Sequence, residues 1–154
     1  MFKRILITLD GSPLSEQSLE KAVQIAETLQ AELTLLRVVT PLLKSYRAGM
    51  ASVSVIETTE KQLVEMAQTY LDDIAAGIQG KGFSVHTVTE LGTPYRKIVN
   101  YVEEHDIDLV VMTTRGETGL TRWLLGSVTD HVVRGVSIPV LVIPVRGDIE
   151  TSSV

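Results

Sequence analysis

The sequence predicts an α/β fold in which helices cover both faces of a mainly parallel sheet. Two observations carry this prediction. Apolar runs alternate with helical patterns along the chain, and three of the runs, ILITL, DLVVM and PVLVIP, are almost continuously apolar. Strands of a covered parallel sheet are buried on both faces and therefore lack the usual apolar–polar alternation. The resulting order is β-α-β-α-β-α-β-α-β, which is typical of such folds.

Five short apolar runs are the predicted strands, at residues 4–9, 32–39, 84–89, 108–113 and 139–144. The third run alternates more than the others, which indicates a position nearer an edge of the sheet. The last run ends the domain and should also lie at an edge. We expect one domain over residues 1–146, followed by a polar tail, 147–154, that frays.

Four helical patterns lie between the runs, at residues 12–29, about 56–79, 93–105 and 127–134. Ser12 is a suitable N-cap for the first helix, and Pro13 suits its first position. In the second helix the predicted inward stripe contains Leu63, Met66, Ala67, Tyr70, Leu71 and Ile74. The polar segment 40–55 before it is expected to be a mobile surface loop.

Composition excludes several functional classes. The 154 residues contain no cysteine, which removes disulfides and thiolate metal sites and is compatible with a reducing cytosol. The net charge of −5 gives no electrostatic signature for nucleic acid binding. No segment approaches the ~20 apolar residues of a membrane helix. We therefore expect a cytoplasmic protein without nucleic acid or membrane partners.

The connection from the fourth strand to the fourth helix is the strongest candidate for a ligand site. Its residues, 114–126, number 13, whereas such connections usually take about 2–6. Gly116 and Gly119 permit close approach of a ligand to the backbone. Gly126 and Ser127 then open a helix, whose N-terminal amides suit an anion such as phosphate. A second interpretation stays open, in which Ser127 caps the helix and the glycines only turn the chain.

Asp10 is the second candidate, because it ends the first strand. In open α/β sheets, ligands bind beyond the carboxyl ends of strands where the strand order reverses. A carboxylate there suits ribose hydroxyls, or a metal ion held together with phosphates. Alternatively, Asp10, Gly11, Ser12 and Pro13 form a turn that leads into a capped helix.

The residues of five segments together resemble the universal stress protein family. The segments are ILITLDGS, LLRVV, Gly92-Thr93-Pro94, RGETGLTRWLLGSVTDHVV and IPVLVIP, and they cover almost the whole chain in the family's order. The resemblance implies a Rossmann-like three-layer sandwich with a five-stranded parallel sheet in the order 3-2-1-4-5 and about four helices. It also implies a homodimer joined through the last strand, Val140 to Pro144.

One branch of this family binds ATP through the pattern G-x2-G-x9-G-[ST]. Gly116, Gly126 and Ser127 match it, while Thr113 replaces the first glycine. Because threonine is small, we expect weakened or altered nucleotide preference more than loss of binding. The implied ligand is ATP or another adenine nucleotide, with Asp10 a candidate partner for an accompanying magnesium ion.

The resemblance assigns parts of the nucleotide to residues of this chain. Thr8 and Val38 would flank the adenine, Asp10 would face the ribose, and the turn 113–119 would wrap the sugar and phosphates. Backbone amides and hydroxyls at 127–129 would hold phosphate. The implied nucleotide-binding residues are Thr8, Leu9, Asp10, Val38, Thr113, Thr114, Arg115, Gly116, Glu117, Thr118, Gly119, Gly126, Ser127, Val128 and Thr129.

The sequence gives little support for catalysis. It has no Walker-type G-x4-G-K-[ST] segment, and the glycine loop has no lysine. His86, His105 and His131 fit no triad or metal pair and are interpreted as surface or capping residues. We expect at most slow ATP hydrolysis, in a dimeric regulatory or stress-response module. The alternative is a protein-interaction module that binds no nucleotide.

Overall fold

The computed structural model describes residues 1–42, 52–80, 82–114 and 125–144. A five-stranded parallel sheet, in the order β3-β2-β1-β4-β5, forms its centre. The strands are β1 (Arg4–Thr8), β2 (Glu32–Val39), β3 (Val85–Leu91), β4 (Leu109–Thr114) and β5 (Val140–Pro144). The helices are α1 (Pro13–Leu29), α2 (Val53–Ile78), α3 (Pro94–Glu104) and α4 (Ser127–Gly135). The predicted fold class, strand order and edge positions of β3 and β5 are confirmed.

The start of α1 follows the predicted capping chemistry. Ser12 has extended backbone angles, φ −86° and ψ 149°, and its side chain accepts a hydrogen bond from the Ser15 N–H at 3.2 Å. Pro13 occupies the first helical position, where a missing N–H costs no intrahelical bond. The N–H groups of Ser15 and Glu16 in the first turn of α1 therefore find their acceptors at Ser12.

Two predictions about α2 are wrong. The helix begins at Val53, because Ser52 adopts the extended conformation of an N-cap, so the end of the segment 40–55 is helical. The rest of that segment lies partly outside the described residues. Met66 does not face the core, since 68% of its surface is exposed. At about 100° per residue it lies at the margin of the stripe centred on Ala67 and Tyr70.

The sheet separates two apolar layers. Ile5 and Ile7 of β1 face α1 and α2, whereas Leu6 between them faces α3 and α4, because successive side chains of a strand point to opposite faces. All three side chains are 0% exposed. The central strand is thus covered on both sides, as its continuous apolar sequence predicts.

This topology opens a crevice at the carboxyl ends of the central strands. β1 pairs with β2 on one side and β4 on the other. The chain leaves β1 for α1 on one face and leaves β4 toward α4 on the other face. Connections that diverge in this way leave a gap between them, which is where α/β sheets bind ligands.

Among the helices that the structure describes, none combines the length and apolar character needed to cross a membrane. The predicted boundary of the domain at residue 146 and the tail 147–154 lie outside the described residues.

Asp108, just before β4, anchors the amino-terminal segment. Its Oδ2 atom accepts hydrogen bonds from the backbone N–H groups of Lys3 at 2.7 Å and Arg4 at 2.9 Å. These two bonds hold the pKa of Asp108 below its usual range. A lowered pKa in the folded state means that the stabilisation is present at neutral pH and is lost as pH falls through that pKa.

We predict that Asp108→Ala lowers the free energy of unfolding at pH 7 by about 1 kcal/mol, because both amides lose their acceptor. The difference from the wild type should narrow as pH falls through the lowered pKa of Asp108, because the protonated carboxyl is a weaker acceptor. Urea denaturation at pH 7 and over a series of acidic pH values measures this, with Asp73→Ala on the exposed side of α2 as the control. A difference independent of pH would contradict the role given to the charge.

Candidate functional site

A cavity of about 350 Å³ lies in the crevice beyond the carboxyl ends of β1 and β4. Its size falls in the range of small-molecule sites. Four connections and helix ends contribute to its wall, which consists of Thr8, Leu9, Asp10, Ser15, Leu36, Val38, Thr40, Pro94, Ile98, Met112, Thr113, Gly126, Ser127, Val128 and Thr129.

Most of the described residues that the sequence pointed to meet at this cavity. They are Thr8, Leu9, Asp10, Val38, Thr113, Gly126, Ser127, Val128 and Thr129. Thr114 ends β4 but does not line the cavity. Arg115, Gly116, Glu117, Thr118 and Gly119 lie outside the described residues.

Six wall residues were missed by sequence reasoning, namely Ser15, Leu36, Thr40, Pro94, Ile98 and Met112. Pro94 had a usable signal, because Gly92-Thr93-Pro94 also follows a strand at the carboxyl edge. Leu36 and Met112 belong to the apolar face that carries α3 and α4, but a pattern of buried residues does not show which of them borders a gap. Ser15 was hidden within the first turn of a helix.

Asp10 lies at the tip of a hydrogen-bonded turn. Its Oδ1 atom accepts from the backbone N–H of Ser12 at 2.8 Å and from the Ser12 hydroxyl. The Asp10 N–H donates to Oγ of Ser15 at 3.3 Å, and that hydroxyl donates to the Ser12 carbonyl at 2.9 Å. The turn interpretation of Asp10 is therefore correct. It is compatible with a ligand role, because a carboxylate has two oxygens and about four acceptor positions.

The N-terminus of α4 forms the opposite side of the cavity. Gly126 is its N-cap, and no side chain of the described part of the chain caps it. The first N–H groups of a helix have no intrahelical acceptors and carry a partial positive charge. The amides at Ser127, Val128 and Thr129 therefore form the electropositive part of the wall.

Thr129 joins this helix end to the sheet. Its hydroxyl donates to the carbonyl oxygen of Thr113 at 3.1 Å, and the residue is only 3% exposed. In this arrangement the Thr129 hydroxyl proton is used within the protein. The backbone N–H of Thr129, rather than its hydroxyl, then remains for an anion.

The third part of the wall is apolar. Leu36, Val38 and Met112 come from the strands, and Ile98 comes from α3. Thr8 and Thr40 add hydroxyl groups near them. An apolar surface with a few polar groups suits a flat aromatic ring whose edge bears nitrogen atoms.

The three histidines lie away from the cavity wall. His86 lies in the edge strand β3, and His105 follows α3, where its ring stacks on Tyr101 at a centroid distance of 3.9 Å. His131 contacts the Ser127 carbonyl through Nδ1 at 2.6 Å. Within residues 1–42, 52–80, 82–114 and 125–144, no three His, Asp or Glu side chains converge as a metal site.

A larger but shallower depression, of about 720 Å³, lies at the opposite end of the sheet. Arg4 in its wall forms ion pairs with Glu32 at 3.7 Å and Asp106 at 3.1 Å. These opposite charges largely satisfy each other, and the depression is not at the carboxyl ends of the strands. The smaller cavity is therefore the better candidate site.

The sequence of this chain was compared with protein families and with known proteins. The sequence model of the universal stress protein family matches residues 1–144. This chain belongs to that family. It is 34% identical to the universal stress protein MJ0531 of Methanocaldococcus jannaschii over 143 residues, which are 93% of this chain and 82% of that protein. It is 32% identical to MJ0577 of the same organism over an alignment of 155 positions that covers 93% of this chain and 95% of that protein.

Solved structures of universal stress proteins share the fold. UspA from Lactobacillus plantarum superimposes with a TM-score of 0.77 at 25% identity, covering 92% of this chain and 97% of that one. More distant members hold adenine nucleotides. A universal stress protein in complex with cAMP has a TM-score of 0.64 at 22% identity, and one from Arabidopsis thaliana with AMP bound has 0.65 at 17%. At these identities the likeness shows the fold alone.

For this universal stress protein domain, we predict that Thr129→Val lowers the free energy of unfolding by about 1 kcal/mol, because the Thr113 carbonyl loses its donor at a partly buried position. Chemical denaturation followed by circular dichroism measures the change. Ser127→Ala, at an exposed position of the same helix turn, should stay within about 0.5 kcal/mol of the wild type. Equal stability of Thr129→Val and the wild type would exclude the anchoring role of this hydroxyl.

Proposed function

We propose that the protein binds an adenine nucleotide in the cavity between β1 and β4 and acts as a regulatory module of the stress response. The single observation that carries this proposal is the meeting, around one cavity of about 350 Å³, of an apolar wall, the Asp10 carboxylate and the N-terminus of α4. These three parts correspond in chemistry to the base, the sugar and the phosphates of a nucleotide.

The base and the ribose lie on the side of β1 and β2 in this proposal. Val38 and Thr8 border the adenine, whose faces are apolar. The Asp10 carboxylate accepts hydrogen bonds from ribose hydroxyls, as acidic residues at strand ends do in other nucleotide-binding α/β folds. Because the turn at Asp10 is already hydrogen-bonded, the carboxylate is held in place before the ligand arrives.

The phosphates lie at the N-terminus of α4. The amides of Ser127, Val128 and Thr129 donate to phosphate oxygens, and the positive end of the helix dipole favours the negative charge. Any magnesium ion would arrive with the phosphates, with Asp10 as its candidate protein partner. We also propose that the segment 115–119 wraps the sugar and phosphates, as the family resemblance implies.

Family membership supports this proposal, since other members have been seen with cAMP and with AMP. The difference is Thr113, which lines the cavity where the family pattern has a glycine. This difference favours the second candidate function, a protein-interaction module without nucleotide. The sequence has no recognisable catalytic set, so we propose at most slow ATP hydrolysis.

Nucleotide binding can be tested directly. Purified protein is denatured and the extract is separated by liquid chromatography, and ligand-free protein is then melted with and without millimolar ATP, AMP or cyclic AMP. A ligand at 100 times its dissociation constant should add about 2.7 kcal/mol of stability. No released adenine nucleotide together with no thermal shift would reject the proposal and leave the interaction module.

We further predict that Gly126→Val abolishes binding without unfolding the protein. Gly126 has φ −57° and ψ 153°, which valine also adopts, so the backbone is not strained. The added side chain instead obstructs approach to the α4 amides. Isothermal titration with ATP measures the loss. Gly77→Ala on α2, where an added Cβ meets nothing within 4 Å, is the control and should keep the wild-type affinity.

We also propose a cytoplasmic homodimer that pairs through β5, with no nucleic acid or membrane partner. The two edges of the sheet differ in composition. β3 reads VHTVTEL and includes a histidine and a glutamate, whereas β5 reads VLVIP and has no charged or polar side chain. An apolar edge strand with unpaired backbone groups favours pairing with another chain.

The dimer proposal predicts that the wild type elutes at twice the monomer mass at micromolar concentration in size-exclusion chromatography with light scattering. Leu141→Lys should shift it to the monomer, because a charged side chain blunts an edge strand. Met66→Lys places the same charge on α2, at a residue that is 68% exposed, and should leave the dimer intact. A monomeric wild type would reject the proposal.

A further inference from the structure

Arg37, near the end of β2, lies against the turn that carries Asp10. A Cβ atom built on Gly11 would lie 2.7 Å from both Cζ and Nη2 of Arg37 and 3.0 Å from Nη1. The similar distances indicate that the flat face of the guanidinium covers Gly11. The φ of Gly11 is +84°, a conformation that other L residues rarely adopt. The guanidinium therefore fills the space that a side chain at residue 11 would occupy.

Tyr70 of α2 also holds the guanidinium. The Cζ atom of Arg37 lies 4.9 Å from the centre of the Tyr70 ring, within the range of a cation–π contact. The Tyr70 hydroxyl donates to Oε1 of Glu16 on α1 at 2.9 Å. Burial, and next the hydrogen bond to Glu16, raise the pKa of Tyr70, so the hydroxyl stays a donor at physiological pH. Arg37 thus lies between the Tyr70 ring of α2 and the turn, and the Tyr70 hydroxyl is bonded to α1.

Gly11, against which Arg37 lies, is next to Asp10, the residue proposed to bind the ribose. Gly11 directly follows Asp10, and Ser12 after it donates its N–H to the Asp10 carboxylate at 2.8 Å. The preceding Leu9 N–H donates to the Leu36 carbonyl at 2.9 Å, so β2 holds the turn on its other side. Arg37 follows Leu36 in β2. Its side chain adds a contact at Gly11 to the backbone bond at Leu36.

Arg37 does not belong to the cavity wall. Leu35 on the same strand faces α1 and α2, and the alternation of a strand places Arg37 on that face. Leu36 and Val38, which do line the cavity, face α3 and α4. Any effect of Arg37 on a ligand therefore passes through the turn.

We propose that Arg37 is a positioning residue of the nucleotide site, which holds the turn at Gly11 so that the Asp10 carboxylate faces the ribose hydroxyls. The inference rests on the proposed function for its effect on binding. The effect of Arg37 on the rigidity of the turn does not depend on a ligand and can be measured in the ligand-free protein. Tyr70 and Glu16 support Arg37 in this role.

The binding test compares ATP with 2′,3′-dideoxy-ATP, which lacks the hydroxyls that Asp10 would accept from. We expect the wild type to prefer ATP by about tenfold, the effect of one good hydrogen bond. Arg37→Met should reduce this preference to about threefold or less, and Asp10→Ala should abolish it. In the double variant, Arg37→Met should have no further effect on the preference, because both changes act through one contact.

Arg96→Met is the matched control. Arg96 also lies over a tyrosine ring, 5.8 Å from the centre of Tyr95, but it is on α3 and does not contact the turn at Gly11. It should keep the wild-type preference for ATP. Tyr70→Phe retains the ring and removes only the bond to Glu16, so it should fall between the wild type and Arg37→Met.

Amide hydrogen exchange on the ligand-free proteins tests the turn itself. The Ser12 N–H should exchange about tenfold faster in Arg37→Met than in the wild type or Arg96→Met, since its bond to Asp10 opens more often. Unchanged Ser12 exchange, or an unchanged ATP preference in Arg37→Met, would overturn the inference. A wild type that binds no ATP would instead reject the proposed function, and with it the binding role of Arg37, while the exchange result still decides whether Arg37 holds the turn.

Discussion

The burial of β1 on both faces is the constraint on which the rest of the structure depends. Its three central side chains are completely covered, which requires a helical layer above and below and a paired strand on each side. With β2 on one side and β4 on the other, the chain must leave the two central strands toward opposite faces. The crevice that holds the candidate site is therefore a consequence of packing. Binding a ligand requires only suitable polar groups along its wall.

The two sides of this crevice are chemically unequal. The α1 side is closed by its own hydrogen bonds, since Ser12 caps the helix and the Asp10 carboxylate closes the turn. The α4 side begins at a glycine and presents backbone amides. A negative group thus faces a positive helix end across an apolar wall. Such polarity orients an elongated ligand that carries hydroxyls at its middle and negative charge at one end.

Continuous apolar runs were sufficient to predict the fold class, because strands of a parallel sheet that is covered on both faces are apolar at nearly every position. The strand order came from the family resemblance, which also implied that Asp10 and Gly126 belong to one site. Sequence reasoning failed where position depends on details of packing. Met66 lies at the margin of a helical stripe, where a few degrees decide exposure. The role of Arg37 was invisible because a long side chain contacts a turn 26 positions earlier in the sequence.

Two glycines near the cavity, Gly11 and Gly126, differ in what their backbone conformations require. Gly11 has a positive φ, so its backbone conformation favours glycine, and the Arg37 guanidinium lies against its open face. Gly126 has backbone angles that any residue adopts, so its backbone conformation does not require glycine. In evolutionary terms, mutation at residue 11 is opposed by backbone strain, whereas mutation at residue 126 causes no such strain and acts, on the proposed function, through the ligand. A lineage that no longer needed the ligand would be free to drift at residue 126 while keeping residue 11, so binding is lost far more easily than the fold.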